Sequence, residues 1–275
     1  MGRRGVRRRI IVATAVLVAL AATAFIVRQV WLNDTARGVD ADEAVQRFRD
    51  QTTLPATTER VISSSTTAAP SFTTAEPGVY RYATVGEEHI DVLGGAQHDY
   101  PAETTITVTK SGCGVQFRWD LLRERYEEYH LCVTPEGIEL APLGAYYHEF
   151  FQHGMREEMT CDRAVLLVTG QPASGAGQQL ACMLNDRPWA PTWKVLERTI
   201  LQVAGTDVEA THVRMSVEDA DQYWEHAVAD WWFDNHGMPV KMTSHKESKS
   251  SSDLIGDVVY SETYTVELAS FTPLQ

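Results

Sequence analysis

From residue 77 onward the chain is written largely in a two-residue period, and that period limits what it can become more than any other feature. The clearest case is DVVYSETYTVELASF. There Val258, Tyr260, Tyr264, Val266 and Leu268 fall on one side, broken only by Glu262, and Ser261, Thr263, Thr265 and Glu267 fall on the other. Such alternation is the pattern of a strand with one face buried. GVYRYATV, TTITVTK, CGVQFRW, ERYEEYHLCV, RTILQVAG and VEATHVRMSV are similarly rich in β-branched and aromatic residues. Turn residues separate them at Gly94-Gly95, Pro135-Glu136-Gly137, Gly205-Thr206-Asp207 and Asp234-Asn235-His236-Gly237. DLLRERYEEYH contains helix formers, yet it also fits the strand that carries Cys132. The expected fold is mainly β: a single antiparallel, strongly curved sheet or half-open β-barrel over 77–275.

The N-terminal part reads differently. Residues 1–9, MGRRGVRRR, carry five arginines, and Ile10 to Val27 then run 18 residues without a charge. As a helix that run is about 27 Å long, close to the ~30 Å hydrocarbon core of a bilayer. With the basic cluster marking the cytoplasmic side, 10–32 is expected to be a single-pass plasma-membrane anchor, N-terminus inside and the rest extracytoplasmic. A cleaved signal peptide, cut after Ala24, is the alternative. Within 33–76, DADEAVQRFRD suits a short juxtamembrane helix, with an N-cap aspartate at Asp40, and the Thr/Ser/Ala/Pro-rich stretch from Thr52 to Gly78 suits a disordered linker that holds the domain off the membrane. Beyond residue 32 there remain 18 basic residues against 37 acidic ones, a net charge of −19. That balance disfavours a role at a nucleic-acid or anionic-lipid surface, and no nucleic-acid partner is expected.

All four cysteines, Cys113, Cys132, Cys161 and Cys182, lie on the expected outer side, where disulfides persist. TGQPASGAG lies midway between Cys161 and Cys182 and suggests a hairpin that sets them opposite each other. Cys113 and Cys132 then pair across a loop-back near Leu122. No C-x-x-C is present to favour zinc.

YYHEFFQHG resembles the H-E-x-x-H helix of zinc peptidases, but His148 and His153 are five residues apart. On a helix that step turns about 500° and separates the imidazoles by some 140°. Tyr146, Tyr147, Phe150 and Phe151 favour a strand, which would point the two histidines to opposite faces. No nucleophile elbow, phosphate loop or dinucleotide fingerprint is found. Glu127 with Glu128, and Asp219 with Asp221, are the carboxylate pairs available for acid–base chemistry, and alternating strands are expected to leave them on solvated faces. The expectation is a non-catalytic protein without metal or cofactor.

What remains is the aromatic stretch from Tyr223 to Met242, YWEHAVADWWFDNHGMPVKM. A hairpin turning at Asn235 to Gly237 places Trp231 and Phe233 on one face and Trp232 on the other, with Met238, Val240 and Met242 alternating on the return. Trp231, Phe233, Tyr260 and Tyr264 are the candidate ligand-binding residues, whether they form core or groove.

At this hairpin W-F-D, a turn, G-x-P-V-K and the closing G-D-V-x-Y-x-E-x-Y-T strand resemble the lipoprotein-carrier superfamily of LolA-type and LppX-type domains. The layout of basic start, anchor, linker and four-cysteine β-domain is similar to uncharacterised membrane-anchored proteins of actinobacteria. The carrier resemblance implies an unclosed barrel whose concave side holds acyl chains. The expected function is binding of a hydrophobic or amphiphilic envelope component such as a lipid, glycolipid or acyl chain. The alternative is a protein-interaction module in envelope or cell-wall assembly. An apolar cavity of several hundred cubic ångströms would raise the carrier reading sharply, and a filled interior would remove it.

Overall fold

A computed structural model describes residues 35–53, 72–92, 94–169, 177–219, 224–252 and 256–274. The expected anchor at 10–32 lies outside the described residues, as do linker residues 54–71, loop residues 170–176 and Asp221. Among the described residues no helix is long and apolar enough to cross a membrane.

The alternating runs form one antiparallel, strongly curled half-barrel sheet. Its central strand is β1 (Gly78–Ile90), on which β2 (Ala96–Asp99) folds back. One arm is a meander of β3 (Glu103–Ser111), β4 (Gly114–Leu122), β5 (Arg125–Val133), β6 (Gly137–Phe150) and β7 (His153–Cys161). The short strands β8 (Val165–Thr169), β9 (Gln178–Gln179), β10 (Cys182–Leu184) and β11 (Arg187–Trp189) follow. The second arm is β12 (Thr192–Val203), β13 (Thr206–Glu218), β14 (Glu225–Phe233), β15 (Pro239–Ser252) and β16 (Gly256–Leu268). β1 pairs with β3 on one side and β16 on the other, which joins the arms. At Gly86 β1 runs so close to β16 that a Cβ would stand 2.4 Å from the Thr263 carbonyl oxygen, so any side chain there would push the strands apart.

Bulges bend the sheet. Registers shift between Asp120 and Leu122, Tyr129 and Leu131, and Trp232 and Phe233, and each extra residue adds local twist. β6 breaks its pairing with β5 around Pro142, which has no N–H for a ladder. Its first part pairs with β8 and its second with β7. The curl gathers the inward side chains of both arms into one core, Tyr82, Ile106, Trp119, Leu167, Val213 and Met242 among them. Fully burying an apolar side chain of this size contributes about 1.5–3 kcal/mol.

Both expected disulfides form. Cys113–Cys132 ties the β3–β4 turn to β5, and Cys161–Cys182 joins direct register partners on β7 and β10. The second link is not a simple hairpin, because β8 and β9 leave to pair with β6 and β12 before the chain returns.

The helix expected near residue 40 is α1 (Ala41–Thr53), capped by Asp40 Oδ1 accepting from the Asp42 amide at 2.8 Å. It packs on the sheet's convex side. Ala44 and Val45 meet Val79, whose neighbours Tyr80 and Tyr82 point into the core. Arg47 pairs with Asp120 at 2.7 Å, and just before the helix Arg37 pairs with Glu124 at 2.9 Å. Within the C-terminal end of the expected linker, Phe72 and Ala75 instead pack against the main core, and the Ala75 amide donates to the His236 carbonyl. The stretch read as a spacer therefore has both described flanks packed on one body, and Arg37 sits beside the β4–β5 turn.

Candidate functional site

The aromatic hairpin folds as its alternation requires. Asp234 Oδ1 accepts from the amides of His236 and Met238, both at 2.8 Å, and Gly237 adopts φ 72° to close the turn. Trp231 and Phe233 point inward and stack at 5.7 Å, Trp232 points outward, and Met238, Val240 and Met242 are buried. These inward rings line a wholly apolar space of about 20 Å³ with Trp119, Tyr129 and Leu167. That is room for about one water, against the roughly 300–1,000 Å³ of an ordinary small-molecule site.

A second space of about 50 Å³ adjoins it on the same concave face, nearer the β4–β5 and β6–β7 turns. Tyr129 and Trp231 line both spaces, and their rings meet edge to face at 5.1 Å. Here the lining turns polar and charged. Arg125, Glu127, Glu157, Glu225, Lys246 and Glu262 take part, with Tyr146, His148, Tyr260 and Tyr264. Of the four candidate ligand residues, Trp231 and Phe233 thus lie on the apolar side, and Trp231, Tyr260 and Tyr264 on the polar side.

The polar half is an ordered network. Arg125 is buried and donates to Glu127 and to Glu262 Oε1 at 3.1 Å. Tyr100 donates to Glu262 at 2.5 Å, Tyr129 to Glu127, and Tyr260 to Glu88 at 3.0 Å. His98 and Glu88, both fully buried, share a 2.7 Å hydrogen bond, and His98 stacks on Phe150 at 4.5 Å. Burial alone would raise the pKa of Glu262, but the Arg125 guanidinium and the bonds from Tyr100 and Arg125 outweigh it and hold the carboxyl below its usual 4.5. Burial, reinforced by neighbouring carboxylates, pushes Tyr100, Tyr129, Tyr260 and Tyr264 well above 10, so all four stay neutral.

Three expectations change. Glu262 is no interruption of an apolar face; it is 4% exposed and anchors the network. Glu127 is not solvated either, at 3% exposed, whereas its neighbour Glu128 points outward to Arg118 and Arg156. His148 and His153 do not share a strand. Phe151 and Gln152, both at positive φ, turn the chain between them, so His148 ends up against Glu157 at 3.5 Å while His153 is exposed opposite Phe150. Sequence reasoning missed Arg125, Glu88, His98 and Lys246, although parity signals one of them: Arg125, Glu127 and Tyr129 share a face with Leu131, a core residue.

The rims of the half-barrel meet across this site through side chains. Leu184 and Trp189 from the β10–β11 end face Met215, Ala227 and Ala229 from β13 and β14, and Arg187 stands 3.8 Å from Glu225. Among the described strands no ladder pairs β11 with β13 or β14.

The geometry defines a class: a curled antiparallel half-barrel with a divided interior, apolar at one end and polar at the other. Compared with family models, curated proteins and solved structures, the chain matches none.

Proposed function

We propose that this protein is a non-catalytic, membrane-anchored extracytoplasmic module that receives a hydrophobic or amphiphilic envelope component, such as a lipid, glycolipid or acyl chain, on its concave face. The observation that carries the reading is the lining itself. One continuous inner surface passes from purely apolar to polar around Trp231 and Tyr129, as an amphiphile needs. The resting room, about 20 and 50 Å³, meets the filled-interior condition that counts against a standing cavity, so the reading requires the concave face to open on loading. Among the described residues no ladder joins β11 to β13 or β14, so side-chain contacts and the Arg187–Glu225 approach are what hold that part of the face closed.

Two disulfides suit an oxidising compartment. Between the end of the apolar run at Val27 and the Arg37–Glu124 pair lie nine residues, at most ~32 Å when fully extended. An anchor at 10–32 then holds the polar end of the concavity near the outer leaflet, where amphiphiles reside. The test is native mass spectrometry of the full chain taken from native membrane: copurifying lipid is expected, and a clean apo mass would count against the reading.

One observation favours docking of a protein instead. Among the described residues β12 is paired on its outer edge only at Thr192 and Trp193, by β9, which leaves 194–203 free to accept an added strand. Crosslinking in intact cells that recovers one recurrent protein partner, weakened by high salt, would support that alternative.

A further inference from the structure

Two residues that line the polar space carry buried donors with no acceptor among the described residues. The indole N–H groups of Trp189 and Trp231 make no hydrogen bond, although the residues are only 8% and 6% exposed. Buried indole N–H groups ordinarily find a partner, and leaving one unmade costs about 1–3 kcal/mol. Both rings line the same space, yet they come from strands far apart in the sheet order. Trp189 lies on β11 at one end of the sheet, and Trp231 lies on β14, toward the other end. An acceptor reached by both would satisfy the two donors and link the two arms of the sheet.

The charges around them decide what kind of acceptor fits. Glu127, Glu157, Glu225 and Glu262 line the space, and its two permanently basic residues are already engaged: Arg125 with Glu127 and Glu262, Lys246 with Glu225 at 3.5 Å. A free carboxylate or phosphate would be desolvated among four carboxylates without an unpaired cation to receive it. An ester or amide carbonyl accepts from neutral N–H groups without that penalty. Resting on the amphiphile reading above, we infer that Trp189 and Trp231 form a subsite for the uncharged acyl carbonyl of the ligand, and that the site discriminates against free fatty acids and other anionic heads. The acyl chain then extends past Trp231 toward Phe233 and Trp119.

The experiment offers the full chain in lipid nanodiscs an equimolar mixture of monododecanoyl glycerol and dodecanoate, and reads the retained species by native mass spectrometry. Retention of the ester over the acid by about tenfold is expected, the worth of one to two hydrogen bonds. Trp189→Phe and Trp231→Phe keep a ring and remove the donor, and each is expected to bring the ratio down severalfold. Trp232→Phe, on the outer face, leaves it unchanged and serves as the folding control. Equal retention of the two by the natural chain, or a ratio that survives both substitutions, would overturn the subsite while leaving amphiphile binding intact; it would mean that the two indoles hold water only. Retention of neither probe would sink the amphiphile reading itself.

Discussion

β5 carries two ionic networks back to back, and they differ in everything except composition. On its inner face Arg125, Glu127 and Tyr129 join Glu262 and Tyr100, with Arg125 and both carboxylates no more than 5% exposed at the side chain. On its outer face Tyr126 and Glu128 join Arg118, Arg156 and Asp120. Arg118 lies 3.6 Å above the Tyr126 ring, and Arg156 remains 42% exposed. Strand parity alone separates the two sets. Burial then gives the same residue types opposite consequences: a removed partner inside leaves a charge that water cannot reach, whereas outside the survivors are rehydrated.

The strongest way to break this contrast is Arg125→Ala. It leaves Glu127 and Glu262 buried without their cation and is expected to cost about 3–5 kcal/mol of stability, measured by urea unfolding. A loss below about 1 kcal/mol would place the inner network in the class of surface pairs and erase the distinction.

Acid titration sharpens the same contrast through opposite signs. Glu262 has a folded pKa below 4.5, so it contributes stability that is fully present above that value and is lost as pH falls through the depressed one. Asp120, on the outer face beneath Arg47 and Arg118, is shifted the other way. Its burial outweighs both guanidiniums and raises it above 3.8. Its ionised form therefore costs stability, and that cost disappears as pH falls through the raised value. Unfolding midpoints taken between about pH 7 and about pH 3 should show Glu262→Gln with a flatter acid limb than the natural chain and Asp120→Asn with a steeper one. Two variants with parallel limbs would mean that the faces do not differ electrostatically.

Much of this architecture was legible in the sequence because the two-residue period is a local signal. The alternation in Tyr264, Val266 and Leu268 gave the buried face of β16, and the turn at Asn235 to Gly237 gave the orientation of Trp231, Trp232 and Phe233. The polar half of the site was far less readable. Parity can say that Arg125 and Glu127 share a face with Leu131, but not that Glu262, 137 residues from Arg125, arrives opposite them; that depends on β1 joining the two arms. The packing of α1 on the convex side was hidden for the same reason, since Arg47 and Asp120 are 73 residues apart. The His148–His153 spacing misled in another way, because the positive φ values of Phe151 and Gln152 lie in a conformation that phenylalanine and glutamine seldom adopt.

Between the extremes stands Asp120→Asn at neutral pH. Asp120 is 1% exposed at the side chain and accepts from Arg47 and Arg118, so its bonds are charge-assisted, but those cations are 28% and 22% exposed and can turn to water. Because the ionised form itself costs stability, relief of the buried charge offsets part of the bonds lost, and a loss of about 1 kcal/mol is expected, part of it arising because α1 is tied to the sheet through Arg47.

The smallest effect belongs to Arg156→Ala. Arg156 reaches Glu128 at 2.8 Å and the Tyr126 hydroxyl at 2.8 Å, a geometry no worse than that of the inner pairs. If geometry set the worth of an ion pair, this substitution would rival Arg125→Ala. Because the guanidinium is already largely hydrated and Glu128 keeps Arg118, the expected loss is about 0.2–1 kcal/mol, and it should shrink further when salt is raised to about 1 M, where the Debye length falls to about 3 Å. Urea midpoints of the variant and the natural chain at low and high salt measure both quantities. A salt-independent loss above about 2 kcal/mol would show that the outer network is as desolvated as the inner one, and the two faces of β5 would then have to be treated as a single electrostatic unit.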